Sequence, residues 1–543
     1  MFHRCRRRPR ARTGLWLLCL SAGLASGARV AAQVPAAPPQ EPPKAEPPQT
    51  PPLPAQETPP GGRVLQLSLG DALGIALRNN FDLEIERLST DVARYNAVGS
   101  WGAFDPVVSM TGGAARSETE QRNAFAGADV VEDDALQLQS NLFVPLTTGG
   151  NVSVSLDHTN AKTNSRFAAF DISTTDVVTA TLTQPLLRGA WSRYATVDQR
   201  ESELALERQN EHEREVRALV LLDVYNAYWD LVAAQEELRV RALAVELGKQ
   251  QLAQDQRRLE VGAGTEVDVL QSETNVATQE EQRLRADYTV RQARDTLRRS
   301  LAPRPNVAEK YEDYLDAWDW PIVTLTPLPE GKTASEIDWR ASLQLAIENR
   351  PELAERRLDI ETSELELTRR HSLRLPQLDL DLSTSSAGFD TDPSSAFSEA
   401  VGWDFPSSSA ALTFSMPIWN RTARNAEHAA RASLRRSQLL YDRYEVDLLA
   451  EVRTTVNEVD KERESVAAAI KSRTLAQRQL EAEETRQQVG LSTTFQVLQF
   501  QEDLAQALSN EVLAKALYAR AVAHLSFVEG HLEEVAAREV AGK

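Results

Sequence analysis

Residues 67–83 read LSLGDALGIALRNNFDL, and residues 337–353 read IDWRASLQLAIENRPEL. Leu73, Ala76, Asn79 and Leu83 return as Leu343, Ala346, Asn349 and Leu353, all displaced by 270 positions. Two further matches follow in the same order. TLTQPLL at 181–187 returns as TFSMPIW at 413–419, and VGAGTEVDVLQSE at 261–273 returns as VGLSTTFQVLQFQ at 489–501. Three ordered matches make the chain two copies of one unit, at 63–301 and 337–530. An irregular Pro- and Trp-containing segment at 302–336 joins them, and residues 531–543 form a C-terminal tail.

Each copy follows one plan. It opens with a predicted helix of about 30 residues, at 68–99 and 338–372, started by the N-capping side chains of Ser68 and Asp338. Short runs alternating with a period of two follow, near 106–114, 136–144, 150–157 and 177–185 in the first copy, and near 376–384 and 409–416 in the second. Then comes a very long helix. From Trp191 to about Leu259 there is no proline and one glycine, Gly248. Such a run spans roughly 100 Å at 1.5 Å per residue. The second runs from about Arg421 to Val489. Tyr228, Leu231, Leu238, Ala242, Val245 and Leu252 recur in steps near three and four, with Gln235 and Lys249 interrupting. Leu449, Val452, Val456, Val459, Val466 and Ile470 keep the same rhythm, with Arg463 interrupting, and a seven-residue period calls for coiling against neighbouring helices. Each long helix reverses at a Gly-containing turn into a returning helix, at 265–301 and 493–528.

The N-terminus reads as a secretory signal over residues 1–32. Arg4, Arg6, Arg7, Arg8, Arg10 and Arg12 form its positive region, Leu15 to Leu24 its apolar region, and Val30-Ala31-Ala32 a small-residue cleavage pattern. A retained membrane anchor is the rival reading, for which the apolar run is too short. The only cysteines, Cys5 and Cys19, lie in this segment. Removing it takes the formal charge from -19 to -26, because it carries seven Arg (the six above and Arg29) and no acid. So acidic a chain repels nucleic acid. Residues 33–62 hold a dozen prolines and read as an extended tether, or as a docking segment for a partner.

The strands are the informative anomaly, because a helical hairpin needs no sheet. In lipid, every backbone N–H and C=O needs a partner, which only a closed barrel supplies, and bacterial barrels start at eight strands. Four to six strands per chain cannot close one, so several chains must share it. Three chains giving four strands each make twelve. The two additional strands of the first copy then form a side hairpin or widen the barrel.

At this point the motifs carry a resemblance. LSLGDALGIALRNN and its second copy, the TQPLLRG and SMPIWNR junctions, and the VGAGTEVDVLQ and VGLSTTFQVLQ turns are similar to those of TolC-type outer membrane efflux proteins, over about residues 65–530. The resemblance implies an α+β membrane protein: a homotrimer with a long antiparallel coiled-coil α-helical tunnel in the periplasm and a transmembrane β-barrel shared by three chains in outer membrane lipid. It also implies a periplasmic adaptor (a membrane fusion protein) and an inner-membrane transporter as partners, in tripartite efflux or type I secretion.

The turns Val261, Gly262, Ala263, Gly264, Thr265 and Val489, Gly490, Leu491, Ser492, Thr493 are the candidate adaptor-docking tips. The alternative is that their glycines merely end helices. The resemblance further implies two acidic residues just after the second turn, ringing the narrowest point of the pore. Gln496 and Gln499 stand there, so this chain departs from the pattern, while the first copy keeps Asp268 at the matching place. We therefore expect a constriction at Asp268, Gln496 and Gln499, closed by helix packing and Gln hydrogen bonds with Asp268 the only nearby acid; the alternative is that both Gln face neighbouring helices. Trp101, Phe104, Trp403, Phe405 and Trp419 either form aromatic belts at the membrane surfaces or pack beneath the sheet.

Enzyme chemistry has no foothold, and no cofactor is called for. The seven His are scattered at 3, 158, 212, 371, 428, 524 and 531 without paired metal-ligand spacing, and no Lys-Ser/Thr follows VGAG as a phosphate loop requires. A periplasmic coiled-coil scaffold or adaptor is the alternative function; it explains the helices but not the strands beside Pro185 and Pro417. No pattern names the cargo, and no Met-rich track suggests soft metals.

Overall fold

The computed structural model describes residues 64–120, 128–301, 318, 320–331 and 337–542. The signal, the Pro-rich tether and most of the 302–336 joint lie outside the described residues.

The opening helix of each copy is two helices. α1 (Leu69–Asn79) starts in a capping box: Ser68 Oγ accepts from Asp71 N (3.1 Å), and the Asp71 carboxylate accepts from Ser68 N (3.2 Å). It stops at Asn80, whose extended backbone and side-chain carbonyl cap α2 (Phe81–Ser100) through Asp82 N at 2.8 Å. The second copy breaks at the same place for another reason. Pro351 cannot continue α6 (Trp339–Asn349) and instead begins α7 (Pro351–Arg374), holding Arg350 extended before it. The expectation of one continuous helix is corrected at both sites.

α2 leads through a short 3₁₀ turn (Trp101–Phe104) into four strands: β2 (Val107–Glu120), β3 (Val130–Pro145), β4 (Asn151–Thr163) and β5 (Ile172–Pro185). After α3 (Ser192–Ala195) runs the 64-residue α4 (Val197–Glu260), then α5 (Glu266–Leu301) returns. In the second copy, β7 (Gln377–Asp390), α8 (Pro393–Gly402) and β8 (Pro406–Ser415) precede the 68-residue α9 (Arg421–Gln488) and the returning α10 (Thr494–Val528). All strands but two form one antiparallel sheet in the order β2-β3-β4-β5-β7-β8. The exceptions, β1 (Leu65–Leu67) and β6 (Ile322–Thr324), pair in parallel and bring residues 322–324 beside the lead-in to α1.

The helices pack side by side. Near the sheet the order is α2–α4–α7–α9, and towards the Gly turns it is α5–α4–α10–α9. Three apolar cores lie between them, the smallest around Leu480, Val497 and Leu504 towards the Gly turns. Leu73, Leu221, Tyr228, Leu231, Leu297 and Leu532 centre the first; Leu353, Leu448, Val452, Val456, Val459 and Val466 centre the second. Gln235, an interruption in the sequence rhythm, is satisfied rather than orphaned: it donates to Ile322 O (2.8 Å) and accepts from Thr324 Oγ1 (2.7 Å). Leu449 leaves the expected seam and is exposed, while its neighbour Leu448 is buried. Residues 532–540, within the expected tail, form α11 (Leu532–Val540), which plants Leu532 and Ala536 in the first core.

Candidate functional site

The two ends of the helix–sheet unit hold the candidate sites. At the tip, both long helices end in the same device. Gly262 stands at φ 71°, with its N–H on Leu259 O (3.0 Å) and the Ala263 N–H on Arg258 O (2.8 Å). Gly490 stands at φ 77°, with its N–H on Gln487 O (3.0 Å) and the Leu491 N–H on Arg486 O (2.8 Å). These nested bonds satisfy the last helical carbonyls and need a left-handed residue, a conformation that costs a side-chain-bearing residue about 1–2 kcal/mol. A Cβ at either glycine meets nothing within 4 Å, so the space around both turns is open.

That open space is lined with apolar side chains. Val261 is 78% exposed, Val489 66% and Leu491 71%; Val267 and Phe495, at equivalent places in the two copies, are each 61% exposed. Helix ending alone does not require this much exposed apolar surface in water. Ala263, Gly264 and Thr265 complete the first turn, and Ser492 and Thr493 the second.

The expected pore residues sit one turn further on, with a role the sequence did not show. Asp268 accepts from Thr265 N (3.0 Å) and Thr265 Oγ1 (2.7 Å), capping α5. Gln496 is its counterpart, closing the capping box of α10 with Thr493. Gln499 donates to Asp503 Oδ1 (3.4 Å). Gln496 and Gln499 are both exposed in the single chain. Asp268 is not the only acid near the turns: besides Asp503, Asp255 and Glu483 are buried at 2% and 5% exposure, six residues before each glycine-turn valine.

Asp255 was missed by sequence reading. Its carboxylate accepts from Gln251 Nε2 (3.0 and 3.2 Å), Ser272 Oγ (2.6 Å) and Thr494 Oγ1 (2.9 Å). Thr494 opens the returning helix of the other copy, so this bond ties one tip to the other. Among the described residues these donors are all neutral, and a buried carboxylate is tolerated only when its oxygens are this fully hydrogen-bonded. Glu483, its counterpart, keeps a cation instead, with Arg486 Nη1 at 3.1 Å, and accepts from Ser492 Oγ.

At the other end, the sheet sorts its faces by parity. Every pairing joins residues of like parity: Val108 to Leu142, Val144 to Val152, Val152 to Leu182, Leu182 to Leu382 and Leu382 to Ala410. The even face near the helices is therefore a continuous apolar band across all six strands, including Met110, Leu138, Val154, Val178, Leu380, Leu412 and Phe414. The odd face opposite carries Ser109, Thr111, Gln139, Asn141, Ser153, Thr181, Asp381 and Thr413. Apolar outside and polar inside is the alternation of a membrane barrel strand. Beyond the band the even face turns charged, with Arg116 paired to Glu132 at 3.1 Å and His158 to Asp176 at 2.8 Å. There α8 lies on β5 and β7. Gly388 permits it, since a Cβ would stand 1.9 Å from Ala396 O. Ala396 and Ala400 are buried, while Phe397 and Val401 are exposed. Trp101, Phe104 and Trp419 flank the helix end of the sheet, and Trp403 and Phe405 the far end; Phe405 and Trp419 are exposed rather than packed beneath it.

One cluster lies elsewhere. His212 and Glu215 of α4 and Glu355 of α7 bring three potential ligand atoms within 4.8 Å of one another. Burial first, then the charge of Glu215, pushes the Glu355 carboxyl above its ordinary range, against the pull of His212. His212 Nδ1 already meets Glu215 (3.1 Å) and Glu355 (3.3 Å), so the cluster reads as an ion-pair contact between helices.

Among the described residues, no helix is long and apolar enough to cross a membrane. The chain presents a two-faced sheet standing on long helical hairpins with exposed tips. The family model for "Outer membrane efflux protein" matches residues 72–302 and 342–531, and the chain belongs to that family. By family it is thus an outer membrane efflux protein. A protease secretion protein, PrtF of Dickeya chrysanthemi, is 28% identical over 214 residues, covering 39% of this chain and 42% of that protein, so the match spans less than half of PrtF. Two solved structures share the fold. The outer membrane protein VceC of Vibrio cholerae aligns at 16% identity and a TM-score of 0.59, over 85% of this chain and 96% of VceC. The CmeC outer membrane channel of Campylobacter jejuni aligns at 15% and 0.58, over 87% and 89%.

Proposed function

We propose that three copies of this chain close into one duct, with the sheets forming a shared barrel in the outer membrane and the helices a periplasmic tunnel. In this reading the tips dock on a periplasmic adaptor and receive cargo from an inner-membrane transporter. The observation that carries it is the pair of unpartnered edges. On α2, Ile85, Leu88, Val92 and Tyr95 are exposed in steps of three and four, a coiled-coil stripe left open to solvent among the described residues. The opposite edge, α9, exposes Leu439, Val446 and Leu449. Apolar stripes on both edges of one helical layer are what a closed ring of identical subunits buries. Trp101, Phe104 and Trp419 then belong to the inner aromatic belt, and Trp403 and Phe405 to the outer.

Membrane fractionation followed by planar-bilayer recording tests this reading. The protein should stay with outer membranes through a high-salt wash and open ion-conducting channels when reconstituted. Release by salt, with no conductance, would instead indicate a periplasmic scaffold.

A further inference from the structure

The two copies differ in length in one place. The offset between them is 270 at the opening helices, 232 at the junction prolines Pro185 and Pro417, and 228 at the Gly turns. Nearly all the additional chain of the first copy therefore lies between its opening helix and its junction, where β2 and β3 stand. This hairpin is no appendage. β3 pairs with β4 over thirteen residues, from Asp133 with Thr163 to Pro145 with Asn151. Its even residues Val108, Met110, Leu136, Leu138 and Leu142 continue the apolar band and are exposed. Standing aside in water, the hairpin would strand that apolar surface.

We infer that β2 and β8 are the protomer's true barrel edges, each occupied by a second copy of this chain, so that three chains close eighteen strands rather than twelve. This rests on the three-chain reading proposed above. Among the described residues both edges are open: every residue of β2 and β8 is exposed, and no strand pairs with their outer sides. Six alternating strands leave β8 running opposite to β2, so the next copy's β2 joins β8 in the antiparallel sense of the rest of the sheet. The faces match as well, since Leu412 and Phe414 on β8 and Val108 and Met110 on β2 share the apolar side. The helices end at the same edges, because α2 leads into β2 and β8 leads into α9. One rotation therefore closes both layers. A twelve-strand barrel would have to break the β3–β4 ladder to free β4 for its neighbour.

The consequence is a wider outer mouth. With strands about 4.8 Å apart and tilted about 40°, twelve close at a backbone diameter of about 24 Å and eighteen at about 36 Å. The lipid-level bore then does not limit cargo size, and selection falls to the periplasmic tip.

Two measurements on the full-length protein decide it. Cryo-electron microscopy in lipid nanodiscs should count eighteen strands at the apolar band; twelve, with β2 and β3 detached, overturns the inference while leaving the trimer intact. Cysteine pairs give an independent reading, because the native Cys5 and Cys19 both lie in the predicted signal. Thr111→Cys on β2, combined in turn with Ser409→Cys, Ala411→Cys or Thr413→Cys on β8, should yield a disulfide-linked trimer on oxidation. Ser155→Cys on β4 with the same three partners should not. Linkage through β4 but not β2 overturns the inference, and monomers in both experiments overturn the three-chain reading with it.

Discussion

The two tips are built to one pattern and held in two ways. Both end a long helix at a left-handed glycine and begin the return with a threonine cap. The first holds its buried acid, Asp255, with neutral donors, one of them Thr494 from the other copy. The second holds Glu483 within its own hairpin, through Arg486 and Ser492. The Asp255 contact therefore couples the two tips, while Glu483 serves the second alone.

The largest expected effect removes what the tips share. Gly262→Trp or Gly490→Trp places a bulky side chain at φ above 70° on the proposed docking surface. Export by the intact system should be abolished while the oligomer still assembles in the outer membrane. Wild-type export from both variants would show that the tips do not dock.

Next comes the asymmetry itself. Asp255→Ala leaves the Ser272 and Thr494 hydroxyls buried without their acceptor, at about 1–3 kcal/mol each. Hydrogen exchange should accelerate in both turns, around 258–268 and 486–496. Glu483→Ala should accelerate only the second. Equal, local responses to the two substitutions would break the comparison.

A smaller effect tests the pore. Gln496→Asp with Gln499→Asp adds carboxylates to each chain just past the second turn, and converging carboxylates attract multivalent cations. Trivalent cations should block the unmodified channel weakly in planar bilayers, and the double variant on the order of tenfold more tightly. Tight block unchanged by the substitutions would put the constriction elsewhere. Smallest are the caps: Thr265→Ala and Thr493→Ala should each cost about 1 kcal/mol of local stability by hydrogen exchange, nearly equally, because the boxes are equivalent.

The same contrast explains what was legible in the sequence. The repeats, the long helices and the Gly turns could be read because each is a local signal: periodicity, absence of proline, a glycine where a helix must end. The breaks at Asn80 and Arg350 were written there too, as a capping Asn before Asp82 and as Pro351, but the continuous apolar rhythm masked them. Strand lengths came out short because alternation fades where the even face turns from Leu136 and Leu138 to Asp134 and Glu132. The Asp255–Thr494 tie was illegible, since its partners are 239 residues apart and a lone Asp on a charged helix resembles any solvated one. Asp268 and Gln496 were singled out for the pore, and their capping roles emerged only with Thr265 and Thr493 in place.

The central claim is that one chain is an incomplete arc of a duct. Native mass spectrometry of the protein extracted from outer membranes in mild detergent tests it most directly. The account predicts a single dominant species of three chains; a stable monomer that still conducts ions would contradict it.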